Sequence, residues 1–286
     1  MERVKILMFG GKGWIGTHLC KLIDADSTID LFHAQSRADD DEAVEQEIIQ
    51  INPDRIVSLI GRTSGPGFST IDYLEQKGKL VENVRDNLYG PLVLATLSKK
   101  YNIHFTYLGT GCIFNGYPEI GYIESDKPDF FGSSYSTVKG FTDKIMHMFE
   151  DNVLNLRIRM PITAEKHPKN FITKITTYQK ICNMPNSMSV LPDLLPCMLD
   201  MVKNKITGTV NFTNPGIVSH NEILEMYREI VDKNFVWENF TIDEQKCILA
   251  GERSNDFLNT ARLTMLYPNI LPIKESIRKI LHQLKI

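Results

Sequence analysis

Short apolar runs alternate with amphipathic segments along the first half of the chain. The apolar runs predict buried strands over Val4 to Phe9, TIDLFHA, NPDRIVSLI, HFTYL and LNLRIRM. The segments between them predict helices over Trp14 to Ile23, DDDEAVEQEIIQI, Glu82 to Lys100 with a kink at Pro91, and Ser134 to Phe149. Strands that alternate with helices are typical of a parallel sheet covered on both faces. We therefore predict the α/β class with a doubly wound parallel sheet.

The pattern loosens after Pro161, where prolines punctuate shorter elements. We expect residues 1–160 to form the main domain. Residues 161–286 should form mainly a smaller, substrate-binding lobe, with some segments returning to the main sheet. We find no internal repeat in the sequence.

Composition narrows the class of protein. The chain has 286 residues, a formal net charge of −3 and five widely spaced cysteines. This charge gives no positive field for nucleic acid, and no apolar run approaches the roughly 20 residues of a membrane span. No C-x-x-C pair indicates zinc, so we expect no metal site. The apolar N-terminus runs into a glycine turn rather than a cleavage site, and with an odd number of thiols this favours a cytoplasmic protein.

A glycine-rich turn follows the first predicted strand. Gly10, Gly13 and Gly16 stand where the chain must turn tightly, approach phosphates with its backbone and pack a helix closely on a strand. Trp14 and Ile15 lie between them, at the start of the helix whose N-terminus would meet a diphosphate. A plain glycine-rich turn is the alternative. We predict a Rossmann-type dinucleotide-binding domain.

The residues after the second strand favour one dinucleotide. That segment reads HAQSR and has no acid before Asp39, whereas an acid is expected where the ribose of NAD is bound. Ser36 and Arg37 can instead hold a 2′-phosphate, which favours NADP(H), with NADH as the less favoured cofactor. A solvated loop charge is the alternative for Arg37. After the third strand, Gly61 would allow close approach of the cofactor, and Arg62 is unexplained.

A tyrosine and a lysine four residues apart supply proton chemistry. Tyr135 and Lys139 share one face of a predicted helix. An ammonium beside a phenol favours the phenolate, so we expect Lys139 to lower the pKa of Tyr135. The order of motifs along the chain supports a catalytic role for this pair: the glycine turn comes first, then Thr110 at a strand end, then Tyr135 and Lys139.

At this point the chain resembles the extended short-chain dehydrogenase/reductases, which act on nucleotide sugars. TGCIF, NFITKIT, NMPNSM, FTNPGIVSHNEILEMYRE and the RSN that ends at Asn255 resemble the epimerase–reductases of UDP-L-rhamnose synthesis. The resemblance covers almost the whole chain. It implies a UDP-sugar substrate, UDP-4-keto-6-deoxy-D-glucose, which is epimerised at C3 and C5 and then reduced at C4 with NADPH.

The resemblance also gives roles to a thiol and an amine. Inversion at C3 and C5 requires a base on one face of the sugar and an acid on the other. Cys112 lies two residues beyond Thr110, on the same side if the segment is extended. The resemblance makes Cys112 an epimerase acid/base and Lys174 its counterpart. Alternatively, Cys112 is a small buried side chain with a packing role only, and Lys174 is a surface lysine or one that contacts the diphosphate.

Four polar residues are weaker candidates. Asn87 would orient the catalytic lysine through water or backbone, or face solvent. Asn170 would contact the sugar or diphosphate, or cap the next helix. Arg253 would clamp the diphosphate, or form a surface ion pair. Asn255, beside it, belongs to the same substrate-binding segment.

Five further residues invite a structural interpretation. Ser219 and Glu222 have the spacing of a capping box, so we interpret His220 as structural. Arg157 and Arg159 alternate on one strand. One of them would face the site, or both would form ion pairs within the fold.

Two other functions remain open at this stage: a reductase without epimerase activity, and a non-catalytic NADP(H)-binding regulatory subunit. Sequence chemistry alone does not decide between UDP and dTDP. The helix around Asn87 and the helix carrying Tyr135 would pair with a second copy as a four-helix bundle, so we expect a homodimer.

Overall fold

The computed structural model describes residues 3–284. Its strands are β1 (Val4–Phe9), β2 (Ile29–His33), β3 (Arg55–Ser58), β4 (His104–Thr110), β5 (Val153–Ile158), β6 (Lys180–Cys182), β7 (Pro185–Asn186), β8 (Gly208–Asn211), β9 (Val218–Ser219) and β10 (Glu238–Phe240). Its helices are α1 (Trp14–Asp24), α2 (Asp41–Ile51), α3 (Leu80–Val84), α4 (Gly90–Lys100), α5 (Ser134–His147), α6 (Phe171–Thr177), α7 (Leu191–Lys203), α8 (His220–Ile230), α9 (Ile242–Ile248), α10 (Ala261–Leu266) and α11 (Ile273–Gln283). A 3-10 turn covers Ile71–Tyr73, and a π-helical turn, Arg85–Tyr89, joins α3 to α4. No helix within these residues has the length and apolar character that crossing a bilayer requires.

The central sheet has the order β2-β1-β3-β4-β5-β8, and all its neighbouring strands are parallel. The predicted doubly wound α/β fold is therefore confirmed. The strand order reverses between β1 and β3, and in such sheets ligands bind outside the carboxyl ends of the strands. β8 comes from the second half of the chain and completes one edge of the sheet.

Helices bury both faces of the sheet. On one face, α1 and α7 pack around Leu19 and Met198; on the other, α2 and α4 pack around Ile48 and Leu94. Every residue of β4 is buried, which explains its lack of alternation between apolar and polar positions. A third apolar core joins α6, α8 and α11. The division of the chain at residue 160 stays a prediction.

The helical stretch before β4 differs from the expected kink at Pro91. The helix widens into its π turn just before the proline, where the N–H of Gly90 donates to the carbonyl of Arg85. Pro91 has no N–H to offer the carbonyl of Asn87, four residues earlier. That carbonyl accepts a hydrogen bond from Thr142 Oγ1 at 2.7 Å instead. The wider turn therefore ties this helix to α5.

Arg157 on β5 forms an ion pair inside the fold, one of the two alternatives for it. Its guanidinium is fully buried and donates to both carboxylate oxygens of Asp143 on α5, at 2.9 and 2.7 Å. Asn155 also donates to this carboxylate, at 2.8 Å. The pair fixes α5, the helix that carries Tyr135 and Lys139, against the sheet.

We expect Arg157→Met to lower the free energy of unfolding by about 3–5 kcal/mol, because the Asp143 carboxylate would stay buried without a compensating charge. Urea unfolding followed by circular dichroism measures this loss. Adding Asp143→Asn should recover a large part of it. Arg278→Met is the matched control, because Arg278 pairs with Glu229 in solvent and should cost under about 1 kcal/mol. Equal losses in Arg157→Met and the control would contradict the expectation.

Candidate active site

A large cavity opens at the carboxyl ends of the central strands. Its volume is about 1690 Å³, and its wall includes Gly10 after β1, Leu59 after β3 and Arg159 after β5. Single small-molecule pockets are roughly 300–1,000 Å³, so this cavity has room for two ligands. The predicted catalytic residues line it: Thr110, Cys112, Tyr135, Lys139 and Lys174.

The glycine turn forms one end of the cavity. Gly10 has a φ of +84°, and a Cβ there would lie 3.0 Å from the carbonyl carbon of Leu59. A Cβ at Gly16 would lie 2.3 Å from the oxygen of Gly10, so α1 approaches the turn as only glycine allows. Gly13 is the N-cap of α1 and offers the first helical N–H groups no side-chain acceptor. This cradle fits the diphosphate of a dinucleotide, and it is lined by Gly10, Gly13, Trp14, Ile15 and Gly16.

Trp14 is held by a loop from the second half of the chain. Its indole stacks on the ring of His167 with centroids 5.0 Å apart, and its Nε1 donates to Glu165 at 2.7 Å. His18 pairs with the same carboxylate at 2.8 Å. Sequence reasoning missed this contact because 151 positions separate Trp14 from Glu165 and no local pattern announces it.

The structure does not place Ser36 and Arg37 among the residues that line the cavity, so their contact with the cofactor stays a prediction. The Ser36 hydroxyl donates to the carboxylate of Glu47, which α2 directs at the end of β2. Arg37 is 63% exposed and pairs with Asp39 at 2.8 Å. The sequence could not reveal Glu47 at this position, because it reaches the strand end from the following helix.

Asn87 neither faces solvent nor contacts Lys139. It is fully buried, accepts a hydrogen bond from the Arg62 N–H and donates to the Arg62 carbonyl, both at 3.0 Å. It therefore fixes the loop after β3, where Gly61 lines the cavity. The unexplained Arg62 side chain forms an ion pair with Asp86 in the π turn.

Thr110 and Cys112 are neighbours in the cavity, although the segment is not extended as expected. β4 ends at Thr110 and the chain turns at Gly111, where a Cβ would lie 2.6 Å from a methyl group of Leu258. The turn is stabilised by the Cys112 N–H, which donates to Thr110 Oγ1 at 3.1 Å. Cys112 is half-buried and packs beside Tyr135. The thiol thus borders the cavity rather than filling the core.

The Tyr135–Lys139 pair lies deep in the protein, and its electrostatics differ from the expectation. Burial and the neighbouring Cys112 raise the pKa of Tyr135, against a hydrogen bond with Thr110 and the charge of Arg159. Burial lowers the pKa of Lys139 to about 8. In this structure the ammonium donates to the hydroxyl of Tyr107, on β4, rather than to Tyr135. The expected lowering of the pKa of Tyr135 is thus outweighed by loss of solvent.

Lys174 lies on α6 and borders the same cavity. Its Nζ is 3.5 Å from the carbonyl oxygen of Ser69. Burial lowers its pKa, and the charges of Lys169 and Arg253 add to that effect. An amine with a lowered pKa suits proton exchange, because its neutral form is then a larger fraction near neutral pH.

Arg253 and Asn255 line the cavity, but both already have protein partners. Arg253 forms an ion pair with Asp72, at 2.5 Å, which ties the segment before Asn255 to the loop after β3. Asn255 Oδ1 accepts a hydrogen bond from Asn186 at 2.9 Å. A substrate diphosphate would therefore have to share Arg253 with Asp72.

Asn170 does not line the cavity within the part of the chain that the structure describes. It is fully buried and caps α6, the alternative left open for it. Its Nδ2 donates to the carbonyls of Thr163 and Glu165 at 2.9 and 2.6 Å. These bonds shape the loop that meets Trp14.

Arg159 is a cavity residue that the sequence left undecided. It is almost fully buried and pairs with Asp256 at 2.6 Å. The capping box of Ser219 and Glu222 is present at the start of α8. His220 follows it and lines the cavity, and its Nδ1 donates to the Met184 carbonyl at 3.0 Å. Burial lowers the pKa of His220 despite this hydrogen bond.

The doubly wound sheet, the glycine cradle and a buried Tyr–Lys pair at the carboxyl ends of the strands define a short-chain dehydrogenase/reductase of the extended type. Among residues 3–284, no group of three or more His, Cys, Asp or Glu side chains is arranged to hold a metal ion.

Comparison with known proteins narrows this class. Residues 4–193 match the family described as RmlD substrate binding domain, and the chain belongs to this family. A crystal structure described as the L780 UDP-rhamnose synthase from Acanthamoeba polyphaga mimivirus is similar with a TM-score of 0.96 and 58% identity, covering 98% of this chain and 99% of that one.

Two further proteins are similar to this chain, one in sequence and one in fold. The bifunctional dTDP-4-dehydrorhamnose 3,5-epimerase/dTDP-4-dehydrorhamnose reductase of Arabidopsis thaliana is 40% identical over 280 residues, which cover 96% of this chain and 91% of that protein. The Bacillus anthracis dTDP-4-dehydrorhamnose reductase, solved in complex with NADP, shares the fold, with a TM-score of 0.80 and 15% identity over 98% of each chain.

We expect Gly16→Ala to weaken NADPH binding at least tenfold, because its Cβ would displace the Gly10 carbonyl from the cradle. Lys21→Ala is the control, because Lys21 lies on the same helix, is exposed and does not line the cavity. Titration of NADPH fluorescence gives both dissociation constants, and thermal melts check that each variant is folded. Similar affinities in the two folded variants would show that the close packing at Gly16 does not shape the site.

Proposed function

We propose that this chain converts UDP-4-keto-6-deoxy-D-glucose to UDP-L-rhamnose by 3,5-epimerisation followed by NADPH-dependent reduction at C4. The observation that carries the proposal is that one cavity holds two sets of proton-transfer groups. Cys112 and Lys174 suit epimerisation, and Tyr135 with Lys139 suits reduction. The 58% identical UDP-rhamnose synthase and the 40% identical epimerase/reductase support both halves of the reaction.

Epimerisation is the first half. The protons at C3 and C5 are acidic because both carbons flank the C4 carbonyl. Cys112 and Lys174 remove and return them from opposite sides of the sugar, and Thr110 and Tyr135 donate hydrogen bonds to the enolate oxygen. The lowered pKa of Lys174 makes its neutral form available as the base.

Reduction is the second half. Gly10, Gly13 and Gly16 hold the cofactor diphosphate, and bound NADPH supplies hydride to C4. Tyr135 gives its proton to the oxygen that becomes the C4 alkoxide. Lys139 stabilises the phenolate that forms and binds the nicotinamide ribose. Because Tyr135 stays protonated in its buried position, it is ready to act as the acid.

NADPH is the proposed reductant despite the position of Arg37. In the pair between Arg37 and Asp39 the guanidinium is 63% exposed, and ion pairs at the surface contribute about 0–1 kcal/mol. A 2′-phosphate can therefore replace the Asp39 carboxylate at little cost. The bound NADP of the Bacillus anthracis reductase accords with this choice. UDP is proposed over dTDP because the 58% identical synthase is described as making UDP-rhamnose.

The test separates the two halves in one assay. In D₂O with UDP-4-keto-6-deoxyglucose and NADPH, NMR should show rhamnose with deuterium at C3 and C5. Tyr135→Phe should lower reduction by roughly 10²–10⁴-fold and leave exchange measurable; Cys112→Ala should lower exchange at one or both carbons by a similar factor. Cys197→Ala, on α7, is the control and should behave as the wild type.

Each other outcome has a definite meaning. Reduced sugar without deuterium would indicate a reductase that depends on a separate epimerase. Exchange that survives Cys112→Ala unchanged would return this thiol to a packing role. No turnover with folded, NADPH-binding protein would remove the substrate assignment and leave a cofactor-binding subunit.

We further propose that the protein is a cytoplasmic homodimer. The cysteines Cys20, Cys112, Cys182, Cys197 and Cys247 are unpaired, as expected in a reducing compartment. α3 and α5 are in contact and leave Leu80, Val81 and Phe141 59%, 74% and 51% exposed. Apolar side chains at this density on neighbouring helices favour burial against a second copy.

We expect Val81→Glu to yield monomers, because a carboxylate in the helical interface would lose its hydration. Sedimentation velocity at micromolar concentration measures the change. Met265→Glu is the control, since Met265 is 76% exposed on α10, away from this surface. A wild-type monomer, or a dimer unaffected by Val81→Glu, would count against this interface.

A further inference from the structure

Lys139 has a hydrogen-bond partner that the proposed chemistry does not use. Its ammonium donates to the hydroxyl of Tyr107 and lies 4.6 Å from the centre of that ring. Both residues are buried, with exposed fractions of 3% and 1%. Tyr107 belongs to β4, three residues before Thr110, so a strand residue supports the lysine from behind the cavity.

The residue expected to orient Lys139 is occupied elsewhere. The carbonyl of Asn87 accepts from Thr142, because Pro91 leaves it without a helical donor. The side chain of Asn87 bonds Arg62 and Asn83. The described residues therefore place Tyr107, and not the side chain of Asn87, in direct hydrogen bonding with Lys139.

A buried ammonium needs such a partner. Lys139 must stay charged to stabilise the Tyr135 phenolate, yet burial disfavours its charged form. The carboxylate whose charge acts on Lys139, that of Asp143, already forms an ion pair with Arg157. A neutral phenol offers an acceptor without a competing charge, and burial raises the pKa of Tyr107 so that it stays neutral.

We propose that Tyr107 is a positioning residue for the reduction: its hydroxyl holds the Lys139 ammonium charged and directed at the reacting groups. The proposal rests on the reduction assigned to this site above. Tyr107 does not line the cavity among the described residues, so it acts through Lys139 and not on the substrate.

The effect should separate the two half-reactions. Reduction requires Tyr135 to give up its proton, which a charged Lys139 favours. Deuterium exchange requires of Tyr135 only that its phenol donate a hydrogen bond to the enolate oxygen. Tyr107→Phe removes the acceptor and keeps the ring, so Lys139 should lose its proton at lower pH.

The groups around the ammonium set the pH profile. Asp143 on α5, which is bound to Arg157 on β5, and Cys112 in the turn after β4 act on Lys139 itself. Tyr135 on α5 acts on its partner Tyr107. Tyr107→Phe leaves all of them in place. The alkaline limb of reduction should therefore move to lower pH by about one unit, the size expected for a hydrogen bond to a charged group.

We would measure NADPH oxidation and deuterium exchange from pH 6 to 10 in wild type and Tyr107→Phe. We expect reduction at pH 8 to fall about tenfold, with the alkaline limb moved as described, and exchange to change less than about threefold. Tyr101→Phe is the control, because its hydroxyl bonds Glu45 at the surface. In a Lys139→Met background, Tyr107→Phe should cause no further loss.

Several results would overturn the proposal: an unmoved alkaline limb, equal losses in reduction and exchange, or an added loss in the Lys139→Met background. If Tyr107→Phe does not fold, 4-fluorophenylalanine at position 107 keeps the shape, carries no titratable proton and is a much weaker acceptor, and the same limb should move in the same direction. Wild type that fails to oxidise NADPH in this assay would refute the proposed function instead, so the two failures are distinguishable.

Discussion

The buried ion pair between Arg159 and Asp256 holds the two halves of the chain on either side of the cavity. Arg159 follows β5, whereas Asp256 lies in the segment that also carries Arg253 and Asn255. The stem of Arg159 packs against Gly111, so the pair also supports the turn that presents Cys112. Burial raises the pKa of Asp256 to about 7 in spite of its partner. Burying such a pair costs free energy of desolvation, and the pair in turn fixes one arrangement of the two segments.

Pro91 lacks a backbone N–H, and this affects how its helix is joined to α5. Pro91 cannot donate within its helix, so the helix widens and the Asn87 carbonyl turns to Thr142 on α5. The side chain of Asn87 is then free to fix the loop after β3, against which the cofactor would lie. Lys139, on the same helix as Thr142, donates to Tyr107 on β4. The missing N–H of Pro91 thus ties this helix to α5, which carries Tyr135 and Lys139.

Much of the site followed from pattern and resemblance. Thr110, Cys112, Tyr135, Lys139 and Lys174 line one cavity as expected. The cavity lies where the carboxyl ends of the parallel strands meet, at the end of β4 that carries Thr110. The pKa values of these residues were predicted less well. Tyr135 is more buried than a helix pattern can tell, so its pKa rises where a fall was expected.

The sequence by itself determined the alternation of strands and helices, the glycine cradle and the spacing of the proton-transfer groups, since these depend on neighbours along the chain. Only the tertiary structure decided that the Ser36 hydroxyl donates to Glu47, that Asn170 caps a helix, and that the Lys139 ammonium donates to Tyr107. Each of these is a contact between elements far apart in sequence. Burial and hydrogen bonding depend on all the groups that packing brings together, and no local pattern records which groups those are.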